Sequence, residues 1–316
     1  MKNSIPYKYI NLLFRFAIGL AAVWFIYFKL SSEFVQNWSA IKLAEINWNL
    51  ITLTIFLLFV NWGIEALKWR FAIQKLHKIS IIKAIRLTFT AITIGLFTPN
   101  RIGEIPARAA LLKSKLFKPI ILKTITSSFS QAVITFLLGG LGLIICQHYF
   151  NLGISNLFMN ILIISALILL LVLYFKAHRL LPIFEKFKAF KNEKLLQALK
   201  EITSKELIVL LIFSLARYFI FFLQYWLVLK ALGIELYGVT ELLLIPVCFL
   251  FASSIPTILI SEIGVRGSVA LFVFGVVSNL DIQIMIASVL LWIINVALPA
   301  LLGLYDLKEL KLLKEK

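Results

Sequence analysis

Residues 96–112 read LFTPNRIGEIPARAALL. They follow an apolar run that begins at Ile81, yet they hold two arginines, one glutamate, two prolines and one glycine. Pro99, Gly103 and Pro106 interrupt a helix, because proline lacks the backbone donor and glycine disfavours helical order. Arg101, Glu104 and Arg108 add charge to the same few residues. What such a segment means depends on what surrounds it.

The surroundings are apolar. The 316 residues are 61% hydrophobic, with a mean hydropathy of +0.97. Runs at 10–28, 48–66, 120–147, 154–175, 207–230 and 282–304 are of the length, about 20 residues, that crosses about 30 Å of hydrocarbon. They are continuous and not alternating, which excludes a membrane β-barrel. The fold class is an all-α polytopic membrane protein, forming one integral membrane domain over 1–316. The first run follows Lys2 and Lys8 and lacks a small-x-small cleavage site, so it reads as a retained helix. Cys146 and Cys248 sit in apolar runs, and His77, His148 and His178 are scattered. No metal-ligand spacing results, and no metal or cofactor is expected. No GxxxxGK[ST] phosphate loop occurs.

The net charge of +17 does not indicate nucleic acid, because no soluble domain carries a basic patch. Cytoplasmic loops of membrane proteins collect Lys and Arg. Eight fall in 176–206, six in 68–86, six in 101–123 and four after Tyr305, against two in 29–47 and none in 147–153. Two apolar regions, 81–117 and 241–279, are interrupted by charge and glycine. If 81–117 enters and leaves on the cytoplasmic side, and 241–279 on the outer side, every basic stretch lies inside. The expected architecture is six spanning helices plus two broken re-entrant hairpins, or eight helices if each hairpin is counted as a crossing. Both termini are expected in the cytoplasm, at the cell inner (plasma) membrane. The loop 176–206 is expected to be cytoplasmic and amphipathic, with 181–202 lying on the anionic inner leaflet.

The hairpins resemble each other. Thr98 begins TPNRIGEIPARAALL, and Ile255 begins IPTILISEIGVRGSVALFVFG. Each has a paired Pro and Thr, then a glycine flanked by Glu and Arg. Gly103 and Gly264 are 161 residues apart, near half the chain. Paired broken segments in corresponding halves suggest an inverted repeat with a site between the repeats. Pro256, Gly264 and Gly267 are the expected second break. Backbone groups freed by a break inside a membrane must line a polar cavity or pack within protein. A helix restarting there turns its N–H groups toward the cavity, where an anion is favoured. Arg101, Arg108 and Arg266 add full charges whose planar forks match phosphate.

Glu104 and Glu262 are either ion-pair partners for these arginines or carriers of a proton or of a polar part of the head group. Glu262 and Arg266 are spaced to pair on a helix. Arg217, ten residues into the run 207–230, must face the interior, as a structural pair or a substrate contact. Arg15 reaches the surface by snorkelling. Glu65 and Lys68 read as an interfacial pair at a helix end. GGLG at 139–142 reads as close helix packing.

At these residues the chain resembles the flippase-like transmembrane region of lysylphosphatidylglycerol synthase and its relatives. The family's first signature, P-G-R-x-G-E followed by Arg, is met by Pro99, Arg101, Gly103, Glu104 and Arg108, with Asn100 in place of glycine. Its second, P-G-G-x-G-x-x-E, is met by Gly264, with Pro256 upstream. Ser261 and Glu262 replace the glycine pair, and Gly267 stands where the acid would be. The resemblance implies movement of a polar lipid head group between leaflets. The soluble domain that transfers lysine in the complete synthases has no counterpart in these 316 residues, so enzymatic activity is not expected and no catalytic residue is assigned.

The function expected is a flippase-like protein moving or binding an anionic phospholipid head group, with Arg101, Glu104, Arg108, Arg217, Glu262 and Arg266 as substrate-binding residues. Two alternatives are a membrane-embedded enzyme acting on a lipid-linked substrate, with Glu104 as acid or base, and a structural membrane subunit with no site. Membrane lipids are the expected partners; the sequence names no protein partner.

Overall fold

The computed structural model describes residues 46–96, 98–150, 157–176, 197, 201–257 and 259–309. They are helical, with no strand among them. In chain order the helices are α1 (Trp48–Ile73), α2 (Ile81–Gly95), α3 (Glu104–Leu111), α4 (Phe117–Tyr149), α5 (Leu157–Lys176), α6 (Ser204–Ala231), α7 (Val239–Leu242), α8 (Leu244–Ser254), α9 (Leu259–Phe274), α10 (Asp281–Trp292) and α11 (Leu298–Glu309). A π-helical turn, Ile293–Ala297, joins the last two into one continuous helix.

Five helices are long and apolar enough to span: α1, α4, α5, α6 and the composite Asp281–Tyr305. They contain the expected runs 48–66, 120–147, 207–230 and 282–304, and 154–175 from Leu157 onward. The run 10–28, Arg15 and most of 181–202 lie outside the described residues. Helix α1 continues seven residues past the apolar run that marks it in sequence. Lys68 and Arg70 end that run, but Lys68 is fully buried and the helix passes through it. Caps fix several starts. Asn47, Ser80 and Thr203 each accept a hydrogen bond from the backbone N–H three residues on.

The other arms are short. Helix α2 has 15 residues, α3 has 8, α8 has 11 and α9 has 16. At 1.5 Å per residue α3 covers only about 12 Å, well short of the hydrocarbon core. Helices α2 and α3 form one hairpin, and α8 and α9 form another.

Each hairpin has its own apolar core. The first packs Ala84, Leu87, Ala107 and Leu111 against Trp69 and Ile73 of α1 and Ile120 of α4. The second packs Val247, Val269, Leu271 and Phe274 against Tyr225 and Val228 of α6 and Ile284 and Ala287 of α10. Glycines set the closest approaches. A β-carbon at Gly303 would lie 2.1 Å from the Phe89 carbonyl oxygen of α2, and one at Gly139 would lie 2.6 Å from Leu250 Cβ of α8. Small residues that let helix backbones meet are a main source of packing energy in lipid, where no water drives helices together. The GGLG segment is therefore a helix contact.

Candidate functional site

The two breaks meet. At the first, α2 stops at Gly95 and a short turn, Pro99–Arg101, leads to α3. Asn100 and Arg101 are left-handed, with φ of 49° and 55°. Asparagine tolerates that region better than other side-chain-bearing residues, which accounts for its standing where the family signature has glycine. Thr98 ties the turn together: its hydroxyl donates to the Gly95 carbonyl at 2.7 Å and accepts from the Gly103 N–H at 2.8 Å. A β-carbon on Gly103 would come within 2.6 Å of the Thr98 side chain, so the turn requires glycine there.

At the second break the chain leaves α8 in extended form at Ile255, with φ −91° and ψ 121°, as a residue before proline must. The tips then clasp each other. Asn100 N–H donates to the Thr257 carbonyl at 3.0 Å, and Thr257 N–H donates to the Asn100 side-chain carbonyl at 2.6 Å. Groups freed by one break are thus satisfied by the other, as an apolar surrounding demands.

Three expected break residues do not break. Gly264 and Gly267 lie inside the continuous helix α9; its glycines are tolerated because the flanking residues of the helix are packed, and the interruption falls at Pro256. Pro106 occupies the first turn of α3, where a missing N–H removes no helix bond. At α3 few N–H groups remain for an anion. Its Gly103 and Ile105 N–H groups are already taken, by Thr98 and by the Ile102 carbonyl, and Pro106 has none.

The charged side chains gather around these tips. Glu65 of α1 lies at the centre, with Arg108 at 3.0 Å, Lys68 at 2.9 Å and Arg217 at 3.1 Å. Arg108 also binds Glu104 and is itself buried. Arg217 donates to the Asn61 carbonyl at 2.9 Å, and Asn61 donates to Asn295 of the π turn at 2.8 Å. The Arg217 guanidinium stands 4.8 Å from the Trp62 ring centre and 5.1 Å from that of Phe221. In the second hairpin Glu262 receives Arg266 of its own helix at 3.0 Å and Arg101 of the first hairpin at 3.5 Å. All six expected binding residues therefore fall in one region.

A sequence model of the lysylphosphatidylglycerol synthase TM region matches residues 12–303. The chain belongs to this family. No curated protein and no solved structure matches it.

In this member of the family two cavities flank the joined tips. One, of about 270 Å³, is lined by Glu65, Lys68, Glu104 and Arg108 among others. The second, of about 230 Å³, is walled by Tyr218, Phe221, Tyr225, Phe249, Trp292 and Arg266 among others. Either volume is far above the ~10–15 Å³ that one water needs. Trp62, Arg101, Gln131 and Arg217 line both. Among the described residues Lys68, Arg101, Arg108, Arg217 and Arg266 face three acids, Glu65, Glu104 and Glu262, which leaves a surplus of two positive charges. An anion would balance it.

Sequence reading placed Glu65 and Lys68 at an interface, and they are instead buried in the middle of the charge network. It passed over Asn61, Trp62, Gln131 and Asn295. A signal was present: Asn61, Glu65 and Lys68 recur at helical spacing within α1 and so share one face.

Proposed function

We propose that this membrane domain binds an anionic lipid head group between its two hairpins and passes it from one leaflet to the other. The observation that carries the reading is that Arg101 and Arg217 line both cavities. A phosphate on these arginines can be approached from either cavity without leaving its counter-charges. The basic stretches 68–86, 101–123 and 176–206 support a cytoplasmic entry for the first hairpin and an outer entry for the second. On that orientation the Glu65 cavity belongs to the inner half of the plasma membrane, the Arg266 cavity to the outer half, and both termini are cytoplasmic. Glu104 and Glu262 then act as counter-charges that keep buried arginines in place. Use of Glu104 as an enzymatic acid or base is disfavoured by its bond to Arg108.

The test is transfer of fluorescent phosphatidylglycerol across vesicles that contain the purified protein. Arg101→Gln and Arg266→Gln are expected to slow transfer about tenfold or more, the worth of one charged hydrogen bond, with little change in melting temperature. Transfer at the unaltered rate in both variants would overturn the reading.

A further inference from the structure

Beyond the phosphate itself, the cavities contain polar groups that the charge network does not use. Trp62 and Tyr218 are each 4% exposed and line the cavity beside Arg217. Neither the Trp62 indole N–H nor the Tyr218 hydroxyl has a hydrogen-bond partner among the described residues, and the Gln131 side-chain carbonyl has none either. Buried polar groups are normally satisfied, so these three, together with the Trp292 indole N–H that lines the same cavity without a partner among the described residues, point to a ligand that supplies the missing atoms. Their chemistry restricts that ligand. An indole N–H only donates, an amide carbonyl only accepts, and a phenol does both. A hydroxyl group can answer all three, whereas an ammonium cannot accept from Trp62.

The acids argue the same way. Glu65 is held by Lys68, Arg108 and Arg217, Glu104 by Arg108, and Glu262 by Arg101 and Arg266. Among the described residues no carboxylate at the site is left over for a cationic head group. Two of the aromatic rings beside the arginines, Trp62 and Phe221, already carry the Arg217 guanidinium on their faces. A second cation there would meet a guanidinium.

We infer that the site selects an anionic lipid whose head group carries hydroxyls beyond the phosphate, such as a glycerol, inositol or sugar, and rejects one that carries an ammonium. The phosphate sits on the arginines and the hydroxyls reach Trp62, Tyr218 and Gln131. This inference rests on the proposed lipid site but does not require transport.

Binding to the purified protein is therefore measured by native mass spectrometry for three lipids of matched chains: phosphatidylglycerol, phosphatidic acid and the lysyl ester of phosphatidylglycerol. Phosphatidylglycerol is expected to bind about fivefold more tightly than phosphatidic acid, the equivalent of one or two neutral hydrogen bonds. The lysyl ester is expected to bind about tenfold more weakly than phosphatidylglycerol. Tyr218→Phe removes a hydroxyl that has no hydrogen-bond partner among the described residues, so folding is preserved. It is expected to lower phosphatidylglycerol binding toward that of phosphatidic acid and to leave phosphatidic acid unchanged. Equal binding of all three lipids, preference for the lysyl ester, or an intact phosphatidylglycerol preference in Tyr218→Phe would each overturn the inference. If the expected order of binding holds while no lipid crosses the vesicle, the transport reading fails and the selectivity stands.

Discussion

The two hairpins share a plan but hold their charges differently. In the first, Arg108 is 2% exposed and clamped between Glu65 and Glu104. In the second, the Arg266 side chain is 30% exposed and, among the described residues, pairs with Glu262 alone. The first break is a left-handed turn closed by Thr98, the second an extended strap set by Pro256. The difference separates two roles that one residue type can play. An arginine locked between two carboxylates holds the fold, whereas one with a face open to a cavity can exchange its partner for a ligand. Arg101, whose side chain is 25% exposed, belongs with Arg266.

The largest effect expected from this contrast is on stability. Glu65→Gln removes the carboxylate that Lys68, Arg108 and Arg217 share, and breaking a buried ion network costs about 3–5 kcal/mol. Glu262→Gln leaves Arg101 and Arg266, which are 25% and 30% exposed and can turn to water, so it should cost less, about 1–2 kcal/mol. Thermal melting in detergent should separate the two clearly; equal losses would erase the distinction between the hairpins.

An intermediate effect is expected at the glycines that seat each hairpin. Gly303→Ala drives a β-carbon into the backbone of α2, and Gly139→Ala drives one into α8. Overpacking costs about 1–3 kcal/mol. The first should be the worse, because the Phe89 carbonyl stands closer to Gly303 than the Leu250 Cβ and the Pro246 carbonyl stand to Gly139. Proteolytic cutting within 96–103 should rise in Gly303→Ala and stay low in Gly139→Ala.

The smallest effect is expected at the clasp. Asn100→Ala loses the side-chain bond from the Thr257 N–H and puts a poorly tolerated residue at positive φ, for about 1–2 kcal/mol together. Asn100→Gly loses the same bond but relieves the backbone, so it should melt closer to the parent. If alanine and glycine behave alike, the left-handed turn contributes little.

Much of the fold was legible because hydrocarbon imposes a length rule on every span. The runs at 48–66, 120–147, 207–230 and 282–304 each sit in a spanning helix. Their ends were less legible, since hydropathy treats Lys68 as a boundary while Glu65 keeps it inside. The breaks were visible as proline and glycine, but composition does not say which glycine bends. Gly103 faces Thr98 and is required by its contact, whereas Gly264 and Gly267 rest within a helix. The arginines and acids near the breaks were legible as charge in an apolar setting. Asn61, Trp62 and Asn295 were not, because an uncharged polar or aromatic residue in a membrane helix has no marked signature until its neighbours are placed. The pairing of Glu65 with Arg217 spans 152 positions, and no local pattern announces it.

The spacing of the charges also bears on how the chain enters the membrane. Glu65 and Lys68 share α1, Glu104 and Arg108 share α3, and Glu262 and Arg266 share α9. Each of these helices carries its counter-ion within one turn and is neutral there when it emerges from synthesis. Helix α6 differs: Arg217 has no acid within a turn, and its partner Glu65 was made 152 residues earlier. The earlier segment must therefore still be within reach, in protein and not dispersed in lipid, when α6 arrives. Assembly of this bundle is in that sense ordered by a charge on α6 whose counter-ion, among the described residues, comes from α1.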